Sequence, residues 1–60
     1  MSKEQIEGII AEEAKQYNWS LDEALKHLAA IRFSVEEVAG ESWFTESQLR
    51  QSVGFAHWAM

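Results

Sequence analysis

One pattern recurs three times along the chain: an aromatic residue precedes Ser or Thr, and Glu or Gln stands three residues after that hydroxyl. The copies occupy residues 19–23 (WSLDE), 33–37 (FSVEE) and 44–48 (FTESQ). The hydroxyl can accept from the backbone N–H three residues on, and the Glu or Gln can accept from the capping residue's own N–H. The pattern therefore predicts three helix starts, and Ser2 with Gln5 predicts a fourth, weaker one.

The aromatic residue in each copy is also placed to pack on the fourth residue of its helix as a hydrophobic staple. These fourth residues are Ala24, Val38 and Leu49. A staple fixes the angle at which the chain runs into the helix, so each copy predicts an orientation as well as a start.

Apolar spacing agrees with the predicted starts. Residues recur at three- and four-residue steps within 3–16 and 21–31, a short helix fits 35–39, and a fourth begins after Thr45. No stretch alternates at period two, and the chain has no proline. We predict an all-α fold: a compact three- or four-helix single domain with short capped helices, spanning residues 1–60.

Stability is a demanding requirement for so short a chain. A domain of 60 residues has room for one small core, and hydrophobic gain and ordering entropy nearly cancel at this size. Because the chain contains no cysteine, disulfides are excluded and the commonest zinc sites are absent. Good local structure or association with another chain must therefore supply the remaining stability. The absence of cysteine also fits a reducing compartment, so we expect a cytoplasmic protein.

The charge balance limits the classes of partner that the chain can bind. Ten acidic and five basic side chains give a net charge of −5, which repels phosphate backbones and anionic membranes. No apolar run approaches the roughly 20 residues needed to cross a bilayer. We therefore expect a protein partner, with no membrane association and no small-molecule substrate.

The sequence contains no residue pattern typical of a catalytic or metal-binding site. The histidines, His27 and His57, stand in no arrangement with a Ser and an acid that would activate a nucleophile. The adjacent pairs Glu12-Glu13 and Glu36-Glu37 point about 100° apart on a helix, which makes poor metal clamps. We predict no enzyme activity, no catalytic residue, no metal site and no cofactor.

Four aromatic residues crowd the last third of the chain: Trp43, Phe44, Phe55 and Trp58. If the fourth helix runs unbroken to Trp58, Phe55 and Trp58 point away from its core stripe and are exposed. If Gly54 ends the helix, both side chains can fold back onto the core. Exposed paired aromatics are typical of partner surfaces, so we predict that these four residues bind a protein.

Residues 35–53 also have the outline of a helix-turn-helix, a short helix and a turn before a second helix. The candidate DNA-reading residues are Ser47, Gln48, Arg50 and Gln51. Two features disfavour this interpretation: bulky Trp43 stands where the turn commonly carries Gly, and no basic flank is present to hold phosphates.

The sequence favours a small acidic helical protein-interaction module that acts as a regulator or inhibitor by binding a protein partner, with a second copy of the chain as one option. Very short reading frames of this kind are typical of phages and mobile elements. The alternative is a helix-turn-helix DNA-binding transcriptional regulator, acting as a dimer through residues 35–53.

Overall fold

The computed structural model describes residues 1–59, which form four α-helices and a single 3₁₀ turn. The elements in chain order are α1 Lys3–Ala14, the 3₁₀ turn Lys15–Tyr17, α2 Leu21–Ala30, α3 Val35–Ala39 and α4 Glu46–Trp58. No β-strand occurs in this part of the chain. The predicted all-α class is confirmed, and the helix count is four.

All four predicted N-caps form, but only two of them are complete capping boxes. The Ser2 and Thr45 hydroxyls each accept from the backbone N–H of a Gln, and the side-chain oxygen of that Gln accepts from the cap's own N–H at 2.9 Å. Ser20 and Ser34 make only the hydroxyl half of the box. In these two helices the third residue is a Glu. Its exposed carboxylate would lose more hydration on accepting from the backbone N–H than the amide of a Gln loses. The start predicted to be weakest, at Ser2, is therefore one of the complete ones.

The C-terminal ends of α1 and α2 both differ from the predicted ones, and the structural reason is the same. In each, the backbone turns into the left-handed region just past the helix and caps it with paired hydrogen bonds, the Schellman motif. Asn18 has φ 59° and follows the 3₁₀ turn that replaces the predicted end of α1. Arg32 has φ 64° and follows α2, whose carbonyl oxygens accept from the Arg32 and Phe33 N–H groups at 3.0 Å.

The core is built from one stripe of each helix and contains only apolar side chains. Its buried members are Ile6, Ile10, Ala14, Ala24, Leu28, Val38, Leu49, Val53 and Ala56. The aromatic residues of the three sequence copies are partly buried against this cluster, to which the three predicted staple partners also belong. The long helices α1, α2 and α4 pack on one another around it, while short α3 lies against α1.

Gly8 tests how much of the stability comes from the helices themselves. It lies on the exposed side of α1 with no atom within 4 Å of the position a Cβ would take. We expect Gly8→Ala to raise the free energy of unfolding by about 1 kcal/mol, since Gly is costly inside a helix. Urea denaturation followed by circular dichroism measures this.

The matched control is Gly54→Ala in α4. There a Cβ would lie 3.4 Å from the Tyr17 hydroxyl oxygen, so crowding offsets part of the same helix gain. A larger gain at Gly54 than at Gly8 would contradict this assignment of the two glycines.

Candidate functional site

Gly54 decides how the C-terminal aromatics are presented. It does not end α4, which continues to Trp58. Instead it sits where the helix approaches Tyr17, and a Cβ there would lie 3.4 Å from the Tyr17 hydroxyl oxygen, at the short end of ordinary contact. Of the two alternatives for Gly54, the unbroken helix is the one observed, and it turns Phe55 and Trp58 away from the buried stripe.

Three large aromatic residues are exposed: Trp43 is 61% exposed, Phe55 54% and Trp58 78%. The Phe55 and Trp58 rings lie 6.0 Å apart between centroids. Trp43 and Phe55 line a shallow groove of about 400 Å³. We call this surface the aromatic face: Ile31, Trp43, Phe44, Gln48, Gln51, Ser52, Phe55 and Trp58.

Phe44 has a different position from the other three predicted binding residues. It is partly buried and packs against the core, with its ring 5.9 Å from that of Phe33 and 5.3 Å from that of Trp43. Phe44 therefore forms the floor of the groove, while Trp43 stands at its side. The Trp43 indole N–H donates to a Glu41 carboxylate oxygen at 2.7 Å, which orients the exposed ring.

Arg50, one of the candidate DNA-reading residues, lies in a cluster of carboxylates that joins α4 to α1. Its guanidinium donates to Glu13 at 2.9 Å, to Glu46 at 2.9 Å and to Glu12 at 3.2 Å. The Arg50 side chain is 30% exposed and that of Glu13 only 13%. These hydrogen bonds, chiefly those to Glu13 and Glu46, raise the pKa of Arg50 above its ordinary value, so it carries a full charge near neutral pH.

The other three candidate DNA-reading residues are accessible. Ser47, Gln48 and Gln51 are all exposed on the first half of α4, and Gln48 and Gln51 also line the groove of the aromatic face. The guanidinium of Arg50 is instead engaged by Glu12 and Glu13 of α1 and by Glu46 of its own helix.

A second groove of about 670 Å³ lies on the other side of Phe44, between the first half of α1 and the start of α4. Gly8 and Ile9 line it, and two of the carboxylates that bind Arg50, those of Glu12 and Glu46, stand at its edge. It is wider than the groove of the aromatic face, but it contains only one of the four aromatic residues predicted to bind a partner.

The two histidines are stacked on other aromatic rings. His27 lies over Trp19 with 4.4 Å between ring centroids, and His57 lies over Tyr17 at 4.1 Å. Trp19 also meets His57 edge-on at 5.4 Å. His27 of α2 and His57 at the end of α4 thus both pack on aromatic rings in or next to the 3₁₀ turn. Within residues 1–59, no three His, Asp or Glu side chains are grouped so that they could hold a metal ion.

Comparison with known proteins gives no relative: no family model matches the chain, and no match is found among curated proteins or solved structures. In the part of the chain that the structure describes, no helix is long and apolar enough to span a bilayer.

Sequence reasoning missed the carboxylate cluster and the stacked histidines. The Glu46–Arg50 pair has the four-residue spacing of a helical ion pair and was detectable from sequence. Glu12 and Glu13, in contrast, stand out in the sequence only as an adjacent pair that makes a poor metal clamp. They are 38 and 37 residues from Arg50 in the chain, and no local signal links positions that far apart.

The carboxylate cluster makes Arg50 a stabilising residue. We expect Arg50→Gln to lower the thermal unfolding midpoint, because Glu12, Glu13 and Glu46 then repel one another without a cation between them. Arg50→Lys should lower it less, since Lys keeps the charge but loses the planar fork that contacts several carboxylates. Circular dichroism melting at low salt checks the order.

Added salt gives the control. It should reduce the difference between Arg50→Gln and the unchanged chain, since the partly exposed carboxylates are screened. Equal melting of all three proteins at low salt would contradict a stabilising role for the cluster.

Proposed function

We propose that this chain is a small protein-interaction module and that its aromatic face is the surface that binds the partner. The observation that carries the proposal is the exposure of Trp43, Phe55 and Trp58 on one side of the domain. Together they expose roughly 400 Å² of aromatic surface. A patch of that size on a small domain is typical of functional contact surfaces.

Side-chain chemistry supports the same surface. Trp is among the residues most enriched at the centres of protein interfaces, and two of the three tryptophans lie on this face. Gln48, Gln51 and Ser52 border the groove with uncharged hydrogen-bonding groups, which resembles the mixture of apolar core and polar rim found in interfaces. Phe44 beneath the groove and the Glu41 hydrogen bond to Trp43 hold the surface in a fixed shape.

We further propose that the chain acts as a regulator or inhibitor in the cytoplasm. A module without a legible catalytic arrangement can act on a partner only by occupying or remodelling its surface. An origin in a phage or mobile element rests on size alone and stays a prediction, as does the cytoplasmic location.

Affinity capture tests the interaction surface. We expect immobilised wild-type chain to retain a specific protein from an extract of the organism that encodes it, and Phe55→Ala and Trp58→Ala each to reduce retention about tenfold or more. Both side chains are exposed, so circular dichroism should show that both variants remain folded.

The control for this experiment is Ile9→Ala, which alters the second groove and leaves the aromatic face intact. If both aromatic variants still retain the partner protein and Ile9→Ala does not, then the partner binds at the second groove and the proposal is contradicted.

A helix-turn-helix regulator is the second candidate, favoured by the order α3, turn, α4 and by the exposure of Ser47, Gln48 and Gln51. It has less support. The one arginine in this helix is engaged by three carboxylates, and the net charge of −5 opposes approach to a phosphate backbone.

Selection from a random DNA duplex library tests this alternative. At about 150 mM salt we expect no enriched sequence and no binding by fluorescence anisotropy up to about 100 μM protein, the weak end of non-specific affinity. An enriched sequence whose binding is abolished by Gln51→Ala, with Trp58→Ala as the unaffected control, would instead establish DNA binding.

A further inference from the structure

Gly8 is a costly residue for the middle of α1, and the fold does not require it. A Cβ at this position would have no atom within 4 Å, and within residues 1–59 no glycine has a positive φ. Tight packing and a left-handed backbone, the two usual structural reasons for a glycine, are therefore both missing here. The other use of a glycine is to let the backbone come close to a ligand.

Gly8 lies in the wall of the second groove, the groove of about 670 Å³ between α1 and the start of α4. One face of α1 lines this groove at three- and four-residue steps, with the residues Gln5, Gly8, Ile9 and Glu12. In the middle of that face the missing side chain leaves the helix backbone uncovered. The volume is within the range of ligand-binding clefts.

The rest of the groove lining is apolar on one part and anionic on another. Ile9 and Phe44 are partly buried against the core and supply apolar surface. Glu12 and Glu46 supply two carboxylates, and no Lys or Arg is found among the described residues that line the groove. The lining therefore suits a ligand that combines an apolar group with a positive charge.

Arg50 does not neutralise these carboxylates. Its guanidinium contacts Oε1 of Glu12 at 3.2 Å and Oε2 of Glu46 at 2.9 Å, and it also binds Glu13. Three carboxylates share one cation, so an excess of negative charge remains. Within residues 1–59 the second oxygens of Glu12 and Glu46 accept no hydrogen bond, and the two side chains are 69% and 58% exposed. Because Arg50 already holds both carboxylates in place, a ligand can use those oxygens at a small ordering cost.

We propose that the second groove binds a basic peptide segment of another protein, one in which a Lys or Arg side chain lies next to an apolar side chain. The apolar side chain contacts Ile9 and Phe44. The cation pairs with the second oxygens of Glu12 and Glu46, and the peptide lies against the bare backbone at Gly8. The inference concerns a different surface from the aromatic face and does not rest on the proposed function.

Charge complementarity selects this occupant over the others. An acidic segment is repelled by the carboxylates, and a neutral apolar segment would cover them without a partner for their charge. A second copy of this chain, with its net charge of −5, is opposed by the same repulsion.

Titration of the ¹⁵N-labelled chain with short blocked peptides, followed by NMR, tests the groove. The probe is acetyl-Leu-Lys-Leu-Lys-amide, and we expect it to bind with a Kd at or below about 1 mM and to shift the amide signals of Gly8, Ile9 and Thr45. Acetyl-Gly-Lys-Gly-Lys-amide keeps the charge without the apolar side chains, and acetyl-Leu-Glu-Leu-Glu-amide reverses the charge. Each of these two control peptides should bind about tenfold more weakly or worse.

Gly8→Gln separates binding from folding. Gln is a better helix former than Gly, so circular dichroism should show a thermal midpoint at or above that of the unchanged chain. The added side chain covers the bare backbone, so affinity for the Leu-Lys probe should fall about tenfold or more. A glycine with only a structural role would not give a loss of binding together with a gain in stability.

Three further variants test the charge and its location. Glu12→Gln and Glu46→Gln should each weaken binding of the Leu-Lys probe about threefold or more, because each removes one of the carboxylates that attract the cation. Glu23→Gln makes the same change of net charge at an exposed position of α2 outside the groove, and should leave the affinity unchanged. Trp58→Ala, on the aromatic face, should leave it unchanged as well.

No binding of the Leu-Lys probe up to about 10 mM would overturn the inference. Equal binding of either control peptide, an equal loss in Glu23→Gln, undiminished binding by Gly8→Gln, or shifts confined to Phe55 and Trp58 would also overturn it. These results would leave the proposed function standing, because protein capture through the aromatic face is measured separately. Capture that ignores Phe55→Ala and Trp58→Ala would reject the proposed function and leave peptide binding at the second groove unaffected.

Discussion

The burial of one stripe of α4 is the constraint on which the rest of the structure depends. Leu49, Val53 and Ala56 occupy that stripe and are almost fully enclosed by α1 and α2. In the part of the chain that the structure describes, no further helix covers the opposite side of α4. The aromatic side chains at Phe55 and Trp58 are therefore left in solvent by the same packing that buries their neighbours.

The α1–α4 junction adds a polar component at the edge of this core. Arg50 projects from α4 beside the buried stripe and gathers Glu12 and Glu13 from α1 with Glu46 from its own helix. Three carboxylates around one guanidinium leave this junction with an excess of negative charge. The junction also engages the one arginine of α4 that a DNA-binding interpretation requires, leaving its side chain 30% exposed.

The aromatic face combines an exposed surface with local features that keep it rigid. Phe44 anchors the loop before α4 to the core, Glu41 orients Trp43, and the left-handed turn at Arg32 ends α2 beside Ile31. Rigid aromatic side chains lose little conformational freedom when they bind. A face of this kind is suited to recognition by shape and apolar contact.

The helix starts were determined by the sequence itself, because a capping hydroxyl and its return partner lie within three residues of each other and need no other part of the chain. The spacing of Ile6, Ile10 and Ala14 likewise placed the buried stripe of α1. Other features were decided only by the tertiary structure. Gly54 reads equally as a helix end or as a packing position until Tyr17 is brought against it. For Arg50 the sequence shows only the local pair with Glu46. Tyr17 for Gly54, and Glu12 and Glu13 for Arg50, are more than 30 residues away in the chain, and local periodicity carries no information over that distance.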